Sequence, residues 1–176
     1  GSEEMTAIGT QGTGLRHVRK TIAFDGSANN GLLGDSVPVF TLTGRVMVEE
    51  ATIFCTENLA CAAPGVTVLK LTGGAGADFT TAVAADGSTS SPWANAAGQA
   101  FDVFGDNLIV GGPIAISGSP QLKVQDDGGG ANITDGTLVI DCWYKPITDN
   151  GALAGDDIDT ELVAAIWANA TRTLTA

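Results

Sequence analysis

Alternating apolar and polar residues dominate this chain from Arg16 to Lys145, in short runs that recur about every ten residues. Gly, Pro, Asn and Asp separate the runs, and this arrangement is typical of β-strands joined by tight turns. In the first run, Val18, Ile22 and Phe24 lie on one face of a predicted strand that ends near Phe24. The pattern therefore predicts a domain built from strands.

Two interruptions of the pattern indicate where the strands depart from regular geometry. Pro38 falls inside the run Val37 to Thr43, and because proline lacks the N–H that a sheet ladder needs, we expect an edge strand or a strand start. In the next run, Arg45 to Thr56, the alternation changes phase at Glu49-Glu50. We predict a β-bulge or a bend at these two glutamates.

The last run, Thr137 to Lys145, alternates most regularly. Its even-numbered positions are apolar or aromatic, whereas Val139, Asp141 and Trp143 fall on the other face. We expect Trp143 at a rim or an interface. The remaining predicted strands are Val66–Thr72, Asp78–Ala84, Gln99–Phe104, Asn107–Val110, Pro113–Ser117 and Pro120–Gln125.

No helical period separates these strands, so the pattern favours an all-β fold. We predict an antiparallel β-sandwich, jelly-roll-like, with a flexible N-terminal arm and one short C-terminal amphipathic helix; a closed barrel is the alternative. The predicted organisation is an arm over residues 1–15, the β-sandwich domain over 16–146, a linker over 147–158, and the helix and tail over 159–176.

The apolar period changes to that of a helix between Asp159 and Asn169. Asp159 is a favourable N-cap, and Ile158 and Val163 occupy the two positions of a hydrophobic staple. Because so short a helix is marginal alone, its apolar stripe needs a partner surface, either the domain itself or a second copy of the chain. The stripe, our candidate oligomer interface, comprises Leu162, Val163, Ile166 and Trp167.

Acidic residues far outnumber basic ones: 20 Asp and Glu stand against eight Lys and Arg, for a formal net charge of −12. Duplex binding depends on Lys and Arg that neutralise phosphates, so we expect no nucleic-acid partner. Three of the cations, Arg16, Arg19 and Lys20, cluster at the start of the first strand. They form either a basic patch for an acidic partner or a solvated strand face.

The longest strongly apolar stretch, Leu108 to Ile116, is interrupted by two glycines and Pro113. It falls short of the roughly 18 residues needed to cross a bilayer. No charged region followed by an apolar one opens the chain. We therefore expect neither membrane insertion nor a signal peptide.

Convergent reactive side chains are scarce. His17 is the only histidine, and the chain contains no Gly-x-Ser-x-Gly elbow, no Walker loop and no Cys-x-x-Cys pair. A solvated strand histidine is the preferred interpretation of His17 over a catalytic base. We therefore predict no enzymatic activity, no catalytic residue, no cofactor and no resident metal.

Two segments raise calcium binding as an alternative. Gly73 to Asp78 matches the start of the calcium-binding nonapeptide repeat, but a single copy favours a glycine-rich hairpin turn instead. Asp126, Asp127, Asn132 and Asp135 supply oxygen ligands around a flexible loop, without the spacing of an EF-hand. The second segment leaves calcium open.

The three cysteines, Cys55, Cys61 and Cys142, form an odd count, so at least one thiol is free. Cys55 and Cys61 either bridge the ends of a turn or, like Cys142, act as small buried hydrophobes. The odd count favours a reducing compartment for folding.

Trp93 follows the loop 88–92 and is the candidate ligand contact. Loop aromatics on β-domains stack on sugar rings, because an aromatic face matches the apolar face of a sugar. Filling of the core or of an interface is the alternative role.

A family resemblance lies in the runs Thr21-Ile22-Ala23-Phe24, Val37-Pro38-Val39-Phe40-Thr41-Leu42-Thr43-Gly44 and Val46-Met47-Val48-Glu49. Together they resemble the opening of small virion structural proteins of tailed bacteriophages. The ending, from Ile166 to Thr175, looks like a segment that recurs in phage head and tail appendage proteins after a β domain. The resemblance implies a β-sandwich particle component, commonly trimeric and without catalysis.

We therefore expect a non-enzymatic structural component of a phage particle, either a capsid decoration, a head fibre or a tail-associated protein. It would self-assemble, with a homotrimer favoured, and dock to a phage capsid or tail protein. Its location would be the virion, after synthesis in the host bacterial cytoplasm. The alternative is a receptor- or carbohydrate-binding β-sandwich module of a phage tail or adhesin.

Overall fold

The computed structural model describes residues 14–74, 78–85, 98, 100–104 and 112–156, and these residues form strands, turns and loops. The prediction of an all-β fold is confirmed for this part of the chain, which contains no helix and hence no apolar helix long enough to cross a membrane. The strands are β1 Arg16–Ala23, β2 Ser36–Pro38, β3 Thr41–Thr43, β4 Val46–Cys61, β5 Thr67–Thr72, β6 Val83–Ala84, β7 Ala100–Asp102, β8 Ile114–Ile116, β9 Gln121–Asp126, β10 Ile133–Pro146 and β11 Ala152–Ala154.

The strands pair in antiparallel fashion in three sheets. The first sheet has the order β1-β10-β4-β7, and β8 also pairs with β4. The second has the order β2-β9-β5-β6, and the third contains only β11 and β3. Pro38 therefore lies on an edge strand, as its missing N–H requires.

The phase change at the two glutamates of β4 is a β-bulge. Trp143 pairs with Glu50, whereas the next residue of β10, Tyr144, pairs with Val48, so Glu49 is the extra residue. The bulge keeps Val48 and Ala51 both fully buried although three positions separate them. The predicted irregularity is confirmed.

Strand β10 carries the alternation that its sequence predicts, with Leu138, Ile140, Cys142 and Tyr144 buried. Residues from both large sheets join these side chains in one hydrophobic core, so the sheets are stabilised by the same burial of apolar surface. The core members that are almost completely buried include Val46, Val48, Ile53, Leu69, Ile116, Leu122, Val124 and Ile133.

Three elements extend beyond their predicted bounds. Strand β4 continues to Cys61 and β10 begins at Ile133, because the two pair along most of their length through several register shifts. Strand β11 lies inside the stretch 147–158 that we predicted as a linker. Its Leu153 is buried and pairs with Leu42 of β3, so this stretch packs on the domain.

The outer edge of β1 is occupied by neighbouring polar groups. Arg19 O accepts a hydrogen bond of 2.7 Å from Asp156 N, and Thr21 N donates to the carboxylate of Asp156. Ala23 O accepts a hydrogen bond of 2.7 Å from Asn30 Nδ2. These contacts satisfy main-chain groups that an edge strand otherwise presents to solvent.

Candidate functional site

The register between β1 and β10 brings polar residues that are far apart in sequence onto one solvent-facing surface. His17 lies opposite Trp143, and Arg19 lies opposite Asp141. On the other side of β10, Phe54 of β4 lies opposite Val139. Because directly opposed residues point to the same side of a sheet, these six residues share one surface, which we call the Trp143 face: His17, Arg19, Val139, Asp141, Trp143 and Phe54.

Asp141 is the organising charge of the Trp143 face. Although it points away from the core, the residue is only 7% exposed. Arg19 Nε donates a hydrogen bond of 2.7 Å to Asp141 Oδ1, and His17 Nε2 lies 2.5 Å from the same oxygen. The hydrogen bond from Arg19 to Asp141 raises the pKa of the guanidinium above its ordinary value.

Trp143 is held by a ring contact from the neighbouring strand. The centroids of the His17 and Trp143 rings lie 4.9 Å apart with an interplanar angle of 26°. Trp143 and Val139 remain half-buried, and Phe54 is 36% exposed. The Trp143 face thus combines apolar surface with charges that already have partners inside the fold.

His17 and Asp141 resemble two members of a catalytic triad, but the arrangement lacks the third. Within the described residues no hydroxyl or thiol is hydrogen-bonded to the imidazole of His17, so no nucleophile and base pair is assembled there. Asp141 Oδ1 is also shared with Arg19, which is the geometry of an ion-pair network. The chemistry available on this face is recognition through aromatic, apolar and hydrogen-bonding groups.

The basic cluster at the start of β1 is largely neutralised within the molecule. Besides the pair of Arg19 and Asp141, Lys20 Nζ lies 3.1 Å from Asp156 Oδ1. Arg16 Nη1 donates a hydrogen bond of 3.4 Å to Gly151 O. These contacts account for the cluster without an acidic partner.

The acidic loop after β9 uses its carboxylate on its own backbone. Asp126 Oδ1 accepts hydrogen bonds of 2.9, 2.8 and 2.7 Å from the N–H groups of Gly128, Gly129 and Gly130. The bonds, led by those from Gly130 and Gly128, lower the pKa of Asp126. Asn132 Oδ1 accepts from Leu33 N at 3.0 Å. In the described part of the chain, no three His, Cys, Asp or Glu side chains are grouped to hold a metal ion.

The cysteines are free, and the bridge between Cys55 and Cys61 is not formed. Cys55 and Cys142 are buried, and burial raises the pKa of Cys142 to about 12. Cys61 is half-buried, and its thiol contacts Thr67 Oγ1 at 3.2 Å. All three act as packing residues, in agreement with the alternative in which they are small hydrophobes.

The candidate site residues predicted from the sequence lie outside the described residues: Trp93, Leu162, Val163, Ile166 and Trp167. Sequence reasoning missed Asp141 and its two partners, which are more than 120 positions away. The available signal was the outward position of Asp141 in the alternation of β10, but only the strand register identifies what it faces.

Comparison with known proteins adds no relative to this geometry. No family model matches the chain, and no curated protein or solved structure is significantly similar to it.

Proposed function

We propose that the chain is a non-enzymatic structural component of a phage particle, which acts by self-assembly and by docking to a capsid or tail protein. The strands form a jelly-roll-like sandwich, and three copies associate as a homotrimer. The protein is made in the host bacterial cytoplasm and ends in the virion. The resemblance of its opening and ending segments to phage virion proteins supports this identity.

The observation that carries the docking role is the composition of the Trp143 face. Phe54, Val139 and Trp143 leave apolar surface accessible to solvent, while Arg19 and Asp141 are already paired. A protein that covers this face gains from apolar burial, at about 25 cal/mol per Å2. It does not strand an unpaired charge, which would oppose association strongly.

The test is the solution mass of the full chain, measured by light scattering after size exclusion. We expect three times the chain mass of 17.7 kDa. Phe54→Ser should weaken association, because it replaces apolar contact surface by a hydroxyl. Leu32→Ser is the matched control, since Leu32 is 38% exposed but lies outside the Trp143 face.

A full chain that stays monomeric at all concentrations contradicts self-assembly. Equal loss of association in Phe54→Ser and Leu32→Ser would remove the Trp143 face from the interface. The combined change Ile166→Ala and Trp167→Ala tests the second predicted interface, on the C-terminal helix. Dissociation in that variant alone would place the contact on the predicted helix rather than on the sheet.

The second candidate function is a receptor- or carbohydrate-binding module, and the stack of His17 on Trp143 favours it. An aromatic ring flanked by hydrogen-bonding groups such as Arg19 is a common way to hold a sugar ring. A monomeric chain that gives a glycan-array signal, with loss of that signal in Trp143→Ala, would replace the assembly role by this one. A signal that survives Trp143→Ala would exclude the face as a glycan site.

A further inference from the structure

The second sheet carries a cleft that the proposed assembly role does not use. It has a volume of about 590 Å3 and lies over β5 and β9. In the register of these strands Lys70 lies opposite Lys123, and Thr72 lies opposite Gln121. The four side chains therefore line one surface of the sheet.

Two like charges face each other in this cleft. The Cα atoms of directly opposed residues in an antiparallel pair are about 4.5–5.5 Å apart, so the ammonium groups of Lys70 and Lys123 can reach one ligand together. Like charges at such positions oppose strand pairing. The chain places two of its eight cations here despite its net charge of −12, a local charge that ordinary solvation of the sheet does not require.

Asp78 neutralises one of the two lysines. Lys70 Nζ lies 2.7 Å from Asp78 Oδ2. The pKa of Asp78 is lowered chiefly by its hydrogen bond with Lys70, and the charge of Lys123 lowers it further. Lys123 is exposed and forms no ion pair with any described residue. The three groups together leave one positive charge on the floor of the cleft.

Neutral hydrogen-bonding groups complete the lining. Ser119 and Gln121 border the cleft beside Lys123. Ser119 Oγ accepts a hydrogen bond of 3.0 Å from Leu42 N, which fixes the oxygen and leaves the hydroxyl hydrogen without an acceptor among the described residues. The volume falls in the range of pockets that hold small molecules, about 300–1,000 Å3.

We propose that this cleft binds the oxyanion group of a small polar ligand, a carboxylate or a phosphate, with Lys123 as the main charge partner. Lys70 remains paired with Asp78 and contributes a second ammonium group to the same anion. Ser119 and Gln121 donate hydrogen bonds to the ligand. The cleft lies on β5 and β9, whereas the Trp143 face lies on β1, β10 and β4, so the two proposals stand on different residues.

The experiment is an NMR titration of the full, isotope-labelled chain with three probes: D-glucuronic acid, inorganic phosphate and neutral D-glucose. We expect saturable shifts of the Lys70, Gly118, Ser119 and Lys123 amides with one or both anions and none with glucose. Raised sodium chloride should weaken the binding. Lys123→Gln should lower the affinity about tenfold, as expected for loss of one charge-assisted hydrogen bond.

Lys145→Gln is the matched control, because Lys145 is also an exposed strand lysine but lies on β10, 3.8 Å from Glu49. It should leave the affinity unchanged. Saturation with phosphate alone, or with glucuronic acid alone, supports the site and identifies the source of the oxyanion. Absence of saturable shifts with both anions overturns the proposal, as does equal binding by wild type and Lys123→Gln. Equal weakening by both lysine variants also overturns it, because it indicates a general charge effect.

Discussion

Replacement of Asp141 by asparagine tests whether the polar network of the Trp143 face stabilises the fold. Asp141→Asn keeps the shape of the side chain but removes the charge that Arg19 Nε contacts at 2.7 Å and His17 Nε2 contacts at 2.5 Å. The amide still offers one oxygen as an acceptor. Its NH2 group, however, faces donors rather than acceptors.

The expected cost follows from the burial of the three groups. Hydrogen bonds to charged groups contribute roughly 1.5–3 kcal/mol each when they are shielded from water. The side chain of Asp141 is 10% exposed, but those of His17 and Arg19 are 40% and 44% exposed, so the two cations regain water when the carboxylate is lost. We therefore expect Asp141→Asn to lower the free energy of unfolding by about 1.5 kcal/mol, between the values for surface and buried pairs.

The assay is urea denaturation followed by circular dichroism at neutral pH, with Asp149→Asn as the control. Asp149 is exposed and takes part in no hydrogen bond or ion pair with a described residue, so its change should be close to neutral. A thermal scan should place the midpoint of Asp141→Asn about 3–6 °C below that of the wild type.

A double-mutant cycle with Arg19→Gln separates the network from the individual residues. Arg19→Gln alone should cost about 1 kcal/mol, and in the Asp141→Asn background almost nothing, because its partner charge is gone. Additive losses, or an Asp141→Asn variant as stable as Asp149→Asn, would refute the view that Asp141 organises this face.

Two further predictions concern backbone and loop. Asp126→Asn should destabilise the protein above pH 4, and the difference from wild type should vanish as the pH falls below the lowered pKa of Asp126, because a protonated carboxyl no longer accepts the three N–H groups in charged form; urea midpoints between pH 7 and 2 test this, and a pH-independent difference would contradict it. Gly136→Ala should cost more than Gly34→Ala in the same assay: both have positive φ, +107° and +86°, but a Cβ at Gly136 would lie 2.6 Å from Asn58 O, whereas one at Gly34 meets nothing within 4 Å. Equal costs would indicate that φ alone decides.

The sequence predicted the strand content because alternation reports directly on which side chains are buried. The bulge at Glu49 is a clear case, since a phase change in an otherwise regular pattern has few other structural causes. Strand ends were less predictable. Strand β11 is only three residues long within a Gly-rich stretch, and its single buried side chain, Leu153, is too little to produce a period.

The polar network was beyond sequence reasoning for a different reason. The outward position of Asp141 was predicted, and so was the basic character of the segment around Arg19. Their contact depends on pairing between β1 and β10, which are separated by more than 100 residues, and a shift of one residue would place Asp141 beside a core position. Alternation fixes the face of each strand but not its register.

The hydrogen bonds along the outer edge of β1 have a consequence for any assembly of many copies. An open edge strand is a template on which another chain can add, and repeated addition leads to fibrils. Here Asp156 and Asn30 already occupy main-chain groups of Arg19, Thr21 and Ala23. Copies held at high local concentration can therefore associate through side chains while each keeps its own sheets, so crowding on a particle does not turn into amyloid-like growth.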